Sequence, residues 1–492
     1  MSLLVKNQSE AFKSFTADIS TARQWWCFCI IIVALKFFLF ALDSTPQFFM
    51  GDSDSYIWTA LTGSIPAARS FVYGYVIRWS ALWTESLNSL VVLQVFVSAC
   101  TALVFTSTCQ LVFRLPPRLS YVFGILCTID PLQLLWERYV MTETISLFLY
   151  VVTLRYSLLY LRDRRVRDLI LFQVLAIALL SFRLSYLFVV QVSTVVLPIM
   201  AFLPLVVARF CGDSRASRAS IIKQFSYHLL ISVLLMLLLH RGYKEINGAL
   251  SHREPDYAYH TGLHLLVAWA PALKPRDAVD RPLAQVIAQG SEYHIEQLDM
   301  RNAQAFSPGF LADRWLKVVG DPRRANVIAK RTALRALRRN PWNILNLGWK
   351  TYLEFLDPSS WKGWASLDLG HEPDEKQKSR LVSHFRDAAD ALLRRQKLTI
   401  VQTYFLNSYP YCLLVMFLPA LAGASLLMRR TRRYCALLLL HSSIILAVVT
   451  ILAPSPSVRY VQPLSLLTLF IFAVFAKALL DRRSNPAASI AR

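Results

Sequence analysis

Acidic and basic side chains of this chain gather beside the ends of its apolar stretches. Asp52 and Asp54 stand in GDSDSY, Arg69 in ARSFVYGY, and Asp130, Glu137, Arg138 and Glu143 in DPLQLLWERYVMTE; Arg183 lies in SFRLSY, and Arg459 with Tyr460 in SVRYVQ. Arg69 shares the connection of Asp52 and Asp54 and the other groups lie in different ones, yet all share one depth relative to the apolar stretches. A charge at a membrane boundary is costly unless solvated or paired, so a shared depth implies either a polar cavity or a set of interfacial ion pairs. Arg138 alone reads as a snorkelling side chain, and Asp130 before Pro131 as a helix terminator. Asp52, Glu143 and Arg459 are the functional candidates, because acidic and basic types converge here while the opposite connections hold mostly basic residues.

The elements that must position them are membrane spans. With 55% hydrophobic and only 17% charged residues over 492 positions, and a mean hydropathy of +0.41, the chain has more apolar surface than one soluble core needs. The apolar residues are bunched into runs long enough for a hydrocarbon core of roughly 30 Å at about 1.5 Å per residue. Ten spans are expected: Trp25–Leu42, Leu87–Phe113, Leu119–Trp136, Tyr139–Leu161, Asp168–Phe182, Leu184–Val207, Ile221–His240, Leu398–Leu427, Tyr434–Ala453 and Tyr460–Leu480. About two dozen mostly polar residues precede the first, and no small-residue cleavage site follows it, so it reads as an anchor and not as a cleaved signal peptide.

Lysine and arginine recur after every second span, in Lys6, Lys13 and Arg23, Arg114 and Arg118, Arg162 to Arg167, Arg209 to Lys223, Arg429 to Arg433, and Lys477 to Arg483. The positive-inside rule then puts both termini and these connections in the cytoplasm. The net charge of +22 is on this view an insertion signal, and nucleic acid binding is not expected. The eight cysteines lie in or beside spans, which suggests buried thiols and no disulfide framework.

The expected organisation is all-α and polytopic. A cytoplasmic arm (1–24) leads into a seven-span membrane module (25–240) whose first outer loop is 43–88; a mostly helical extracytoplasmic domain (241–397) follows, then a three-span module (398–480) and a cytoplasmic tail (481–492). Inside the outer domain, DPRRANVIAKRTALRALRRN reads as a basic amphipathic helix. In PWNILNLGWKTYLEFLDP, Pro341 is placed for a helix start, and Trp342, Leu345, Trp349 and Tyr352 recur at a spacing that suits a helix in the headgroup layer.

The stretches GDSDSY and ARSFVYGY after the first span, VMTETISLFLY, SFRLSYLF and SVRYVQPLSLL are similar to recurring stretches of the GT-C superfamily of polyprenyl-phosphate-sugar-dependent glycosyltransferases. That superfamily includes the protein O-mannosyltransferases and the lipid A aminoarabinose transferases. The resemblance covers the membrane portion, about two thirds of the chain. It implies an inverting transfer of one sugar from a polyprenyl-phosphate donor to a glycan, lipid or protein acceptor at the outer face of a bacterial inner membrane. Its catalytic acid falls on Asp52, four residues before Tyr56, with Asp54 in reserve: an acceptor hydroxyl attacking the anomeric carbon must lose its proton to a base within hydrogen-bond reach. Arg183 and Arg459 suit the leaving lipid phosphate, since a guanidinium fork stays charged and pairs with phosphate oxygens. Arg69, Glu143 and Tyr460 complete the expected substrate site. The chain departs from the protein O-mannosyltransferases in having Ser53 where they carry a second adjacent acid, and SFVYGY in place of a proline-rich stretch.

No cofactor is expected, although the Asp52-Ser53-Asp54 spacing also admits a divalent cation. His260 and His264 have the spacing of a metal pair but no following acidic ligand. Lys36, inside the first apolar run, is expected to face a polar cavity. No phosphate-binding loop or nucleophile elbow is present, which excludes cytoplasmic nucleotide chemistry from the reading. Two other classes stay open: a lipid or glycan transporter, and a polysaccharide polymerase or ligase of the same fold logic. The orientation has a direct test. A cysteine placed at Ser291 in a cysteine-free background is expected to react with an impermeant thiol reagent in intact spheroplasts; labelling only after lysis would reverse the topology.

Overall fold

The computed structural model describes the chain except Met1, Met50, Ala68, 211–217, His371, 395–396, 429–430 and 485–492; for 2–21, 208–210, 218 and 482–484 it describes backbone alone. Arg215, Arg429, Arg430 and Cys211 therefore lie outside the described residues. The chain is an all-helical polytopic membrane protein. Among the described residues there is no strand, only an isolated parallel bridge between Gln47 and Tyr139.

The first half runs through α1 (Ser2–Leu42), α2 (Asp52–Thr62), α3 (Val72–Ile77), α4 (Leu87–Leu111), α5 (Pro117–Thr128), α6 (Pro131–Trp136), α7 (Glu143–Asp163), α8 (Val166–Phe182), α9 (Leu187–Phe210) and α10 (Arg218–Ser251). The outer segment contributes α11 (Thr261–Ala268), α12 (Arg281–Ala288), α13 (Arg301–Phe306), α14 (Leu311–Val319), α15 (Pro322–Arg339), α16 (Pro341–Leu356), α17 (Pro358–Asp368), α18 (Glu375–His384) and α19 (Ala388–Arg394). Last come α20 (Ile400–Leu406), α21 (Tyr409–Met416), α22 (Leu418–Ser425), α23 (Arg432–Ala447) and α24 (Gln462–Ser484).

Seven helical stretches among the described residues are long and apolar enough to cross a membrane: 22–42, 87–111, 143–163, 184–207, 219–251, 432–452 and 458–481. Of the other three expected spans, two are broken and one is a single shorter helix. Asp130–Pro131 breaks 119–136 into α5 and α6, because proline has no N–H to give and the Asp130 carboxylate caps α6 instead, accepting from Leu132 N at 2.9 Å and Gln133 N at 3.0 Å. The run 398–427 is three short helices, with Pro410 and Pro419 each just inside a new helix start. The 168–182 run forms α8, unbroken over 17 residues. In the other direction, α10 continues eleven residues past His240; 34 residues at about 1.5 Å each exceed the hydrocarbon core, so its end stands outside it.

The helices α4, α7 and α24 are the most enclosed and α1 and α10 the most exposed, which places the former at the centre of the bundle and the latter at its lipid-facing rim. The outer segment has its own small core around Trp315, Leu283, Leu311, Ala325 and Ala329. Here α15 presents Ala325, Ala329, Ala333 and Ala336 inward and approaches α11 so closely that a Cβ at Gly262 would run into the backbone of Asn326 and Lys330. Both expected outer helices form: Asp321 caps α15, Asn340 caps α16, and Pro322 and Pro341 stand at their starts.

Two residues differ from expectation at the end of the bundle that carries the loop 43–86. Lys36 is fully buried and paired, with Nζ 2.8 Å from Glu137 Oε2. Arg138 does not snorkel. Its guanidinium donates to the carbonyls of Asp43 (2.9 Å), Leu134 (2.6 Å) and Leu39 (2.9 Å) and to Glu137 Oε1 (2.6 Å). Glu137 thus neutralises two buried cations. Glu137→Gln leaves Lys36 without a counter-charge and Arg138 with only Asp43 Oδ2 at 3.8 Å, and is expected to destabilise the protein by about 3–5 kcal/mol, the usual cost of breaking a buried pair from one side. Lys36→Met should cost clearly less, because Arg138 still holds Glu137. Apparent melting temperatures of the two purified variants check that order.

Candidate functional site

At that same end the first outer loop, the starts of α7 and α24 and the α8–α9 turn converge. Gly51, at φ 93°, turns the chain into α2 in the left-handed region that glycine adopts without strain. Ser53 then fixes the helix start: its Oγ accepts from Phe49 N (2.9 Å) and donates to the Val140 carbonyl (2.9 Å), pinning α2 to the segment before α7. Ser53 is therefore the pin that aims Asp52.

The Asp52 carboxylate is held from both sides. Oδ1 accepts from Arg69 Nη2 and Oδ2 from Arg459 Nη1 at 2.8 Å. Arg69 reaches it from a loop docked by the Ala67 carbonyl on Tyr259 N (2.7 Å) and by Ser70 Oγ on the Ser181 carbonyl. Arg459 lies in a 3₁₀ turn (Val458–Val461) before α24; its guanidinium packs on the rings of Phe49 (4.6 Å) and Tyr460 (4.7 Å) and donates to the Tyr460 hydroxyl (2.8 Å). Glu143, the first residue of α7, sits 3.3 Å from Arg183 Nη1 and 4.0 Å from Arg459 Nε through one oxygen, Oε1. Both nitrogens are buried and neither makes an aligned hydrogen bond, so these contacts are charge–charge only. Arg183 also stands over the Tyr460 ring at 5.2 Å.

All eight expected site residues thus lie in one neighbourhood, in two tiers. Asp52, Arg69, Glu143, Arg183, Arg459 and Tyr460 form a connected cluster of three guanidinium groups and two carboxylates, one positive charge in excess. Tyr56 packs edge-on against Tyr73 (5.1 Å) beneath it; burial, reinforced by the Asp52 charge, pushes its phenol well above the ordinary range. Asp54 points elsewhere and pairs with Arg380 Nη1 at 2.7 Å. Burial pushes the Asp52 carboxyl up, but Arg459 and then Arg69 outweigh it and hold the group below its ordinary value. Asp52 is ionised at neutral pH.

The cation alternative does not fit. Each carboxylate of the Asp52-Ser53-Asp54 set is engaged by a guanidinium, and the excess charge nearby is positive, which repels a divalent ion. His264 Nε2 is occupied by the Leu452 carbonyl at 2.9 Å.

Two residues of the site carry no local sequence signal. Arg380 of α18 pairs with Asp54 and stacks on Trp58 at 4.6 Å. Asp368, the last residue of α17, accepts from Ser457 Oγ (2.7 Å) and Arg459 N (3.2 Å) and so fixes the turn that carries Arg459. Both come from the outer segment and meet partners about 90 and 326 positions away in sequence.

The chain matches no protein-family model, and no curated protein is significantly similar to it. Comparison with solved structures finds two crystal structures of ArnT from Cupriavidus metallidurans, in the apo state and bound to undecaprenyl phosphate. Each is 11% identical with a TM-score of 0.33; the matches cover 93% and 91% of this chain and 78% and 77% of those chains. A likeness that loose carries no argument, and the chemistry rests on this chain's own residues.

Burial pushes the Asp368 carboxyl up to about 6, against the opposing Arg459 charge and its hydrogen bonds. A folded-state value above the unfolded one favours the protonated form in the fold. Its contribution to stability is therefore present at low pH and lost as pH rises from about 4 to about 6. In Asp368→Asn that slope should vanish, so the variant's melting temperature relative to wild type should rise with pH across this window. A difference that stays flat would show that Asp368 titrates normally.

Proposed function

We propose that the chain is a membrane glycosyltransferase of GT-C type, moving one sugar from a polyprenyl-phosphate donor to a glycan, lipid or protein acceptor on the extracytoplasmic side of a bacterial inner membrane. The observation that carries this is the Asp52 carboxylate clamped between Arg69 and Arg459, with two further buried guanidinium donors, Arg183 Nη1 and Arg459 Nε, lacking aligned partners alongside. Such donors match the oxygens of a phosphate. An apolar groove of about 330 Å³, walled by Val72, Val76, Trp79 and Leu93, begins three residues beyond Arg69 and suits the isoprenoid tail.

In this mechanism the donor phosphate engages the arginines, and the acceptor hydroxyl is placed against Asp52. The hydroxyl oxygen attacks the anomeric carbon as its proton passes to the Asp52 carboxylate; the bond to the phosphate oxygen breaks, and the polyprenyl phosphate leaves with that electron pair, held by Arg459 and Arg183. Direct attack inverts the anomeric configuration. Phosphate binding also draws guanidinium charge away from Asp52, so the lowering of its pKa weakens when a base is needed. Gathering the charges at one end of the bundle, and not at mid-depth, favours this over transport.

Asp52→Asn keeps shape and removes the basic oxygen; turnover should fall by roughly two to four orders of magnitude, with donor binding nearly intact. Arg459→Ala and Arg183→Ala should raise the donor KM, and lysine at either position should restore it only in part, because the fork is lost. Single-turnover assays of the folded variants decide it: normal rates in both Asp52→Asn and Asp54→Asn would remove the base from the first loop, and normal donor kinetics in both arginine variants would leave them structural.

A further inference from the structure

Helix α16 has three distinct faces, at 100° per residue. Ile344, Leu347, Gly348, Thr351 and Phe355 are buried, and Gly348 packs so tightly on Ile451 that α16 is seated on the end of the α23 span. The end of a span marks the membrane boundary. Trp342, Leu345, Trp349 and Leu353 form a second stripe that is apolar and exposed, with Trp342 76% and Trp349 57% accessible. Large exposed tryptophans beside a span end belong in the interfacial layer of the bilayer.

The third stripe is polar: Asn343, Asn346 and Lys350, with Glu354 one turn on. Its first three residues face Glu296 and Leu298 across a cavity of about 230 Å³. Beside it Arg301 is fully buried; its Nε donates to the Leu298 carbonyl (3.0 Å), while Nη1 and Nη2 have no hydrogen-bond partner among the described residues. Glu354 Oε2, the nearby opposite charge, is likewise without a hydrogen bond. The two charges offset each other without an aligned hydrogen bond, behind the Leu298 part of the cavity wall.

Amides, a carboxylate, an ammonium group and an apolar wall are the donors, acceptors and surface that recognise sugar hydroxyls and ring carbons. The cavity is smaller than the roughly 300–1,000 Å³ of sites that enclose drug-sized molecules, which suits one sugar ring. An adjoining stripe in the bilayer interface suits the lipid attached to it. From Lys350 to Asp368, which pins Arg459, the chain runs through the end of α16, extended Asp357 and α17, a path of at most about 32 Å, the reach of a short oligosaccharide. We propose that this cavity holds the membrane-proximal sugar of a lipid-anchored glycan, the acceptor of the transfer. The word acceptor rests on the transferase reading; the binding of a lipid-anchored sugar does not.

The test uses the full chain in phosphatidylcholine nanodiscs and two photoreactive probes with the same diazirine-bearing alkyl tail, one headed by β-glucoside and one by phosphocholine. The glucoside is expected to crosslink to 296–298 and 342–354 several-fold more than the phosphocholine, with monoglucosyl diacylglycerol competing and free glucose not. Asn346→Leu and Lys350→Met, on the exposed side of α16, should bring the glucoside down to the phosphocholine level at unchanged melting temperature. Equal labelling by both probes would make this a plain lipid surface, competition by free glucose a soluble-sugar site, and full labelling of both variants would place the head elsewhere; each overturns the proposal. Labelling needs no turnover, so it should persist in Asp52→Asn. If transfer proves absent while labelling behaves as stated, the transferase reading fails and the glycolipid site stands. If transfer occurs but Asn346→Leu leaves the acceptor KM unchanged, the cavity is not the acceptor's.

Discussion

A buried charge in this end of the bundle is costly without a partner of opposite sign, and one carboxylate serves two buried cations. Glu137 neutralises Lys36 from α1 and Arg138 from the turn after α6, and Arg138 in turn ties down the Leu39 and Asp43 carbonyls at the end of α1. The chain beyond is thereby brought alongside: Gln47 N donates to the Arg138 carbonyl (2.9 Å) and Val140 N to the Gln47 carbonyl (2.9 Å). Val140 then receives Ser53, and Ser53 sets the direction of Asp52. The position of the candidate base follows, link by link, from the cost of burying a charge.

The Asp52 clamp poses a chemical difficulty that the same electrostatics resolves. Two arginines keep the carboxylate ionised but depress its basicity, and a weak base is a poor proton acceptor. A phosphate is the ligand that changes this, since it competes for the guanidinium groups and adds negative charge close by. On the transferase reading the base gains strength only when the donor, which it serves, is bound.

Much of this was legible in sequence because it depends on local pattern. Apolar runs and recurring basic clusters gave the helical, polytopic class, and a basic amphipathic pattern over 321–340 and Pro341 marked two further helices. The shared depth of Asp52, Arg69, Glu143, Arg183 and Arg459 was enough to group them. What escaped depends on tertiary pairing. The helix end at Asp130–Pro131 was legible although the expected span runs through it, whereas at Pro410 and Pro419 the hydropathy of the run outweighed the proline signal. Lys36 and Arg138 looked like residues that seek water, and nothing within either segment shows that Glu137 satisfies both. Arg380 and Asp368 sit in ordinary polar helices whose partners are distant in the chain.

The outer segment divides along the same line. Its first part, α11 to α15, packs on a core of its own and meets the bundle mainly through α16. Its second part is bound into the site: Asp387 accepts from Leu87 N (2.9 Å), Asn88 N (2.8 Å) and Ser86 Oγ (2.8 Å), so a carboxylate 300 residues away caps α4. Arg386 N donates to the Glu85 carbonyl (2.9 Å), Arg380 pairs with Asp54, Tyr139 donates to the Leu369 carbonyl (3.0 Å), and Asp368 holds the Arg459 turn. These contacts replace orphan donors and unpaired charges that the first loop cannot satisfy by itself. Changes in α11 to α15 are therefore remote from Asp52, whereas changes in α17 to α19 act on the ion-pair cluster directly.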